Sequence, residues 1–202
     1  MEFSTADHAR ISDAIRVAET RTSGEIVCVF ARSSSDYSHV PVLWGAVGAL
    51  AAPWPLMALT DLSVQRIFLA QIAVFVALTL LLSLPALRMM LVPRSVRRAR
   101  AHRAAVEQFF TRGLSRTKER NGILIYVSLA EHYARIVADE GIAAKAQQAE
   151  WQQAIDTLVT HAREDRVADG FIAAMNICAE VMAQHYPPGG DENLLPNRVY
   201  VI

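Results

Sequence analysis

The chain has 202 residues, with 20 Lys and Arg against 20 Asp and Glu. A net charge of zero gives no global field that would mark it for nucleic acid, and the length allows one domain or little more. The two cysteines, Cys28 and Cys178, sit inside apolar runs without metal, redox or phosphate-loop spacing, so they read as small buried thiols of a reduced compartment. The opening MEFSTADHAR carries no apolar stretch of the kind a cleaved leader has.

The zero conceals a polarised chain. Residues 94–120 carry nine Arg and Lys against Glu107 and Glu119, a balance of +7. Residues 121–202 carry five against eleven acids, a balance of −6.

Residues 8–21 place Ile11, Ala14, Ile15 and Ala18 at i, i+3, i+4 and i+7, the period of a helix with one apolar face. RTSG ends that helix, and EIVCVFA reads as a short buried strand. From Tyr37 to Thr60, and again from Ile67 to Leu87, there is no Asp, Glu, Lys or Arg. Each run approaches or exceeds the ~20 apolar residues that cross ~30 Å of hydrocarbon. A soluble domain of this size can scarcely cover two runs that are apolar on every face. The expected transmembrane hairpin therefore occupies 37–93, with spans at about 40–60 and 67–88 and the link DLSVQR between them. Pro53 and Pro55 kink the first span near its end. Trp44 and Trp54 are its candidate interface residues, because indole rings favour the headgroup level.

A tight hairpin leaves both long ends of the chain on one side. Its link has Arg66 offset by Asp61, whereas Arg88, Arg94, Arg97, Arg98, Arg100 and Arg103 follow the second span, and Arg21 and Arg32 precede the first. The positive-inside rule makes both ends cytoplasmic. Arg94, Arg97, Arg98, Arg100 and Arg103 also suit contact with anionic headgroups, at about 1 kcal/mol for each cation near the surface. No aromatic residues are interleaved with them, so they do not read as a nucleic-acid surface.

Beyond the hairpin, Ser95 to about Lys118 reads as a basic helix with Val106, Phe109, Phe110 and Leu114 facing inward. NGILIYVSLA gives a second buried strand, and HYARIVAD a third, outer one reached through an antiparallel turn at Glu131. Trp151, Ala154, Ile155, Leu158, Val159 and Ala162 mark one closing helix, and Phe171, Met175, Cys178 and Met182 another. YPPGGDENLLPN reads as a turn-rich connector and RVYVI as a last edge strand, within a tail over 187–202. The expected domain is discontinuous, 1–36 with 94–190. Strand, crossover, helix and strand make a βαβ unit with parallel strands, and here the crossover holds the hairpin. That topology sets Asp36, Ser128 and Glu131 on the edge toward the bilayer, and Glu25, Asn121 and Asp139 on the opposite one.

The blocks AETRTSGEIVCVFARSSSDY, RTKERNGILIYVSLAEHYARIVADEGI and WQQAIDTLV…DGFIAAMNICAEVMAQHYPP, with the two-span insertion between the first two, resemble the TPM domain family. More narrowly they resemble its bacterial branch of short membrane proteins, in which a hairpin interrupts the domain. The resemblance implies an α/β class: a TPM-like α/β sandwich with a small central sheet, interrupted by a transmembrane helical hairpin. It also implies two kinds of role. Plant thylakoid relatives look like acid phosphatases of photosystem II repair, and an animal relative acts as an auxiliary subunit of a membrane receptor.

The residues carry no P-loop, DxDx[TV], HExxH or GxSxG stretch. His102, His132, His161 and His185 are not spaced as ligand pairs. Carboxylates that follow strands remain. Asp36 with Glu131 can hold a hard divalent cation, Ca2+ or Mg2+, or both can be solvated turn residues. Asp139 and Glu140 form an alternative acidic site on the other edge, where Asp139 with Arg120 also reads as an ordinary surface ion pair. The expected function is an accessory or interaction role toward another membrane protein. The alternatives are a metal-dependent phosphatase, by family analogy, and a lipid-proximal sensor built on the edge near Asp36 and Glu131.

Overall fold

The computed structural model describes residues 3–189 and 195–202. The chain divides into two compact units, Met1–Ser34 with Arg98–Ile202, and Ser35–Arg97. In chain order the elements are α1 (Thr5–Glu19), β1 (Ile26–Ala31), α2 (His39–Ala51), α3 (Pro53–Leu59), α4 (Val64–Leu82) and α5 (Pro85–Leu91). Next come α6 (Arg94–Thr111), β2 (Ile123–Ser128), β3 (Tyr133–Ala138), α7 (Glu140–Ala143), α8 (Gln148–Arg163), α9 (Val167–His185) and β4 (Val199–Val201). Part of the expected connector, residues 190–194, lies outside the described residues.

The first unit is built on a four-stranded sheet in the order β3-β2-β1-β4. β1 and β2 are parallel, in register from Ile26 opposite Ile123 to Ala31 opposite Ser128. β3 runs antiparallel to β2, and β4 pairs parallel with β1 through Cys28 and Val199. Both central strands are buried along their whole length, as parallel strands covered on two faces must be. Alternation of side chains then sorts the core into two layers. Ile26, Cys28, Phe30, Ile123, Ile125 and Val127 pack with α1, α8 and α9. Val27, Val29, Ala31, Leu124 and Tyr126 pack with Ala105 and Phe109 of α6 and with Leu114.

Local chemistry moves several expected boundaries. α1 starts at Thr5 rather than residue 8 because Ser4 and Asp7 form a capping box. The Asp7 amide donates to the Ser4 hydroxyl at 3.1 Å, and the Ser4 amide returns the bond to the Asp7 carboxylate at 3.1 Å. The expected basic helix to about Lys118 stops at Thr111, since Gly113 takes φ 82°, the left-handed conformation that terminates helices. Its buried stripe is Ala101, Ala105 and Phe109. Phe110, expected to face inward, is 61 % exposed, being ~100° round the helix from Phe109.

The second unit contains α2 to α5. α2 and α4 pack against one another, and two glycines let them approach. A Cβ on Gly45 would lie 2.3 Å from Thr79 Oγ1, and one on Gly48 the same distance from Leu78 Cδ1. α2 and α3 join at Ala52, which keeps helical dihedrals (φ −58°, ψ −36°) and donates to the Gly48 carbonyl, so His39–Leu59 forms one helical segment. The link between the long helices is shorter than expected, because Val64, Gln65 and Arg66 already belong to α4. Helical segments His39–Leu59 and Val64–Leu82 are long and apolar enough to cross a membrane by length and composition. Their apolar windows are only 11 % and 0 % buried. Leu59, Phe68, Leu80 and Trp54 are all more than half exposed, which water does not favour.

Candidate functional site

The two acidic positions expected on the edge toward the bilayer, Asp36 and Glu131, fall in different units. Asp36 turns onto its own neighbour: the Ser38 amide and hydroxyl each donate to its carboxylate at 2.9 Å. Those bonds hold the Asp36 carboxyl below the usual range. Glu131 stands in the turn Leu129–His132 between β2 and β3. His132 closes that turn by donating to the Leu129 carbonyl at 3.0 Å, with φ 48°. Glu131 is buried and accepts the Ser34 amide at 3.0 and 3.1 Å, the Ser33 hydroxyl at 3.3 Å and the Ser128 hydroxyl. Beside it the Ser34 and Tyr126 hydroxyls share a bond of 2.8 Å, and burial pushes the Tyr126 phenol up. Both carboxylates are thus engaged by local donors.

The opposite ends of the strands carry the second acidic group. Asp139 caps α7 by accepting the Glu140 amide at 2.8 Å. The expected pair with Arg120 is present, Nε standing 3.6 Å from Asp139 Oδ1, while Arg120 Nη2 reaches Glu140 at 3.3 Å. Asp139 Oδ2 is buried without a hydrogen bond among the described residues. Asn121 steadies this edge through Ser23, whose carbonyl accepts its side-chain amide at 3.2 Å. A hollow of about 450 Å³ lies nearby, lined by Ser23, Glu119, Lys145, His185 and Tyr186 among others, with Lys145 Nζ 4.0 Å above the Tyr186 ring.

Among the described residues no three His, Cys, Asp or Glu side chains converge as a metal would require. Asp36 and Glu131 belong to different units, and Asp139 and Glu140 are both turned toward Arg120. Of the expected headgroup contacts, Arg94, Arg98 and Arg103 are exposed on α6, while Arg97 and Arg100 are half-buried. Trp44 and Trp54 are 45 % and 74 % exposed. Ten helical positions put them about 15 Å apart, half the ~30 Å of hydrocarbon.

A larger concavity lies elsewhere. A groove of about 910 Å³ runs along β3 between α6 and α8. Val106, Val137, Ile136, Trp151, Ile155 and Val159 give it an apolar lining. Arg98, His102, His132, Arg135 and Arg163 line it as well, against Asp156 alone among acids. A neighbouring hollow of about 440 Å³ shares His132, Tyr133, Ala134, Val159 and Arg163 and prolongs it toward the turn. No spacing in the sequence joins Arg98, Arg135 and Arg163, since each comes from a different element.

Residues 86–181 match the family model of the TPM domain; the match begins in α5 and ends in α9, so β1 and most of the hairpin lie outside it. Comparison with curated proteins gave no match. Among solved structures the fold is similar to the NMR structure of BA42 protein from the psychrophilic bacterium Bizionia argentinensis. That likeness has a TM-score of 0.63 at 17 % identity, covering 100 % of this chain and 97 % of the other. It speaks for the small α/β fold and its mixed sheet.

Proposed function

We propose that this chain is a TPM-domain protein of the bacterial inner membrane, anchored by the α2–α4 hairpin, with both termini in the cytoplasm. Its domain docks onto another membrane protein in an accessory role. One observation carries the reading: two helical segments of 21 and 19 residues have apolar windows that are only 11 % and 0 % buried, an arrangement that lipid stabilises and water does not. The arginines that follow α5 supply the cytoplasmic bias, and Arg94, Arg97, Arg98, Arg100 and Arg103 sit where anionic headgroups would be met. With only ~15 Å between the two indoles, both cannot stand at the two edges of the hydrocarbon, and Trp54, at the start of α3 and the more exposed of the two, is the better residue for the far interface.

A second reading, metal-assisted hydrolysis of a phosphate ester, has in its favour the buried Asp139 Oδ2, which has no hydrogen bond among the described residues. One experiment tests the topology and another separates the two readings. A reporter fused after Ile202 that is active only in the periplasm should be silent; activity would overturn the topology. The detergent-solubilised protein, assayed on a generic phosphate ester with Mg2+, Mn2+ or Ca2+, should show no turnover. Turnover abolished by Asp139→Asn would replace the accessory role with the enzymatic one.

A further inference from the structure

β3 ends the sheet, so one side of its backbone is open. Hydrogen-bond parity identifies which groups lie there. In an antiparallel pair, directly bonded and non-bonded residue pairs alternate. The Asp139 amide donates to the Gly122 carbonyl at 2.9 Å, which makes that pair a bonded one. Stepping along the register by two, Val137 with Leu124, Arg135 with Tyr126 and Tyr133 with Ser128 are the bonded pairs. The amides and carbonyls of Ala134, Ile136 and Ala138 therefore point away from β2. None of these groups has a hydrogen-bond partner outside the sheet among the described residues.

An edge of this kind is usually closed by proline, a bulge or a covering element. β3 has neither proline nor bulge, and the groove between α6 and α8 runs along it. The groove has two chemically different walls. Tyr133 and Val137 share the α6 side of the sheet, and alternation places Arg135 with them, next to Arg98 and His102. Ala134, Ile136 and Ala138 pack on the α8 side, next to Trp151, Ile155 and Val159. Arg98, Arg135 and Arg163 form no ion pair among the described residues. A second copy of this chain would bring the same arginines against themselves, so charge selects a different occupant.

We propose that the open edge of β3 receives an extended acidic segment of a partner protein as an added strand. Backbone bonds to Ala134, Ile136 and Ala138 supply the affinity, as in other strand additions. Alternate side chains supply the choice: carboxylates toward Arg98 and Arg135, aliphatic groups toward Trp151, Ile155 and Val159. This rests on the reading of the domain as a docking module and names the chemistry of its partner.

The test uses the full chain in detergent micelles and an acetylated, amidated heptapeptide alternating glutamate and valine. Hydrogen exchange is read at single amides. Binding should slow exchange at Ala134, Ile136 and Ala138, while Tyr133, Arg135 and Val137, already bonded to β2, should change little. Replacing glutamate by lysine in the peptide, or Arg135→Glu or Arg98→Glu in the protein, should weaken binding about tenfold or more, with the thermal midpoint of the variants unchanged. Equal binding of the glutamate and lysine peptides would overturn the proposal, as would absence of protection at the three amides. Protection that rises with protein concentration and needs no peptide would assign the edge to a second copy and overturn it too. These failures leave the topology reporter and the ester assay unaffected, so the wider reading is judged separately.

Discussion

The Glu131 carboxylate accepts the Ser34 backbone amide on both oxygens, at 3.0 and 3.1 Å, across 97 residues of sequence. Ser34 is the last residue of the first domain segment before the apolar helices. The turn between β2 and β3 therefore holds the place where the chain leaves the domain. Glu131→Ala removes the acceptor while Ser34, Ser33 and Ser128 keep their donors. A cost of about 1 kcal/mol is expected, because Ser128 is buried whereas Ser34 is half-buried and Ser33 exposed, so water can meet their donors. Exchange at the Ser34 amide should accelerate, with thermal unfolding of the domain moving lower. An unchanged Ser34 exchange rate would show that the contact does not hold the exit of β1.

Gly141 follows the Asp139 cap, and a Cβ there would lie 2.4 Å from the Glu119 carbonyl and 2.6 Å from that of Arg120. Both obstacles are backbone, so a rotamer change cannot relieve them. Gly141→Ala should destabilise the domain in the range of a severe overpacking change, about 1–3 kcal/mol or more. Denaturant midpoints compared with Ala143→Gly, a change on the same short helix, would check it. Equal midpoints would mean that α7 can lift from residues 119 and 120 at little cost.

The strands and the hairpin were legible because each rests on a local pattern. IVCVFA and ILIYVS are continuous apolar runs of strand length, and the long helices are marked by the absence of charge over twenty or so residues. The parallel pairing of β1 with β2 followed from the crossover rule once the hairpin was assigned to the crossover. What stayed hidden is long-range. Nothing near Glu131 points to Ser33 and Ser34, and Arg98, Arg135 and Arg163 meet only after α6, β3 and α8 have packed on the sheet. α6 ends short of its apolar period, which Leu114 continues, because Gly113 sets the left-handed stop.

Cys28 and Cys178 are fully buried in the same layer of the core, and burial pushes both thiols up, away from the reactive thiolate. Iodoacetamide at neutral pH should leave the folded protein unlabelled and label both after unfolding in denaturant. Mass spectrometry of the two samples checks this. Labelling of either cysteine in the native protein at the rate of a free thiol would contradict the closed packing of β1 against α9.

The Asp7 carboxyl is held below its ordinary value chiefly by the Ser4 hydroxyl and amide. A depressed folded pKa stabilises the fold above the unfolded value of 3.8, and the contribution disappears as pH falls through the lower folded value. The first turn of α1 should therefore fray on acidification below the ordinary carboxylate range, with amide exchange at residues 5–8 rising relative to Ile11 and Ile15. Asp7→Asn should remove most of that pH dependence. Persistence of the same profile in the variant would place its origin in another carboxylate.

Within the helical hairpin the two glycines of α2 differ in what faces them. A Cβ on Gly45 meets Thr79 Oγ1 at 2.3 Å, with the Phe75 carbonyl at 3.3 Å and the Thr79 amide nitrogen at 3.4 Å behind it. A Cβ on Gly48 meets only the Leu78 side chain, at 2.3 and 3.8 Å, which can rotate. Close packing of small residues is a main source of helix association in lipid, where no hydrophobic force separates one apolar surface from another. Gly45→Val should thus part α2 from α4, while Gly48→Ala should be absorbed by Leu78. Cysteines introduced at facing positions of the two helices should crosslink efficiently in membranes for Gly48→Ala and poorly for Gly45→Val. Equal crosslinking in both would mean that α2 and α4 do not depend on the approach at Gly45.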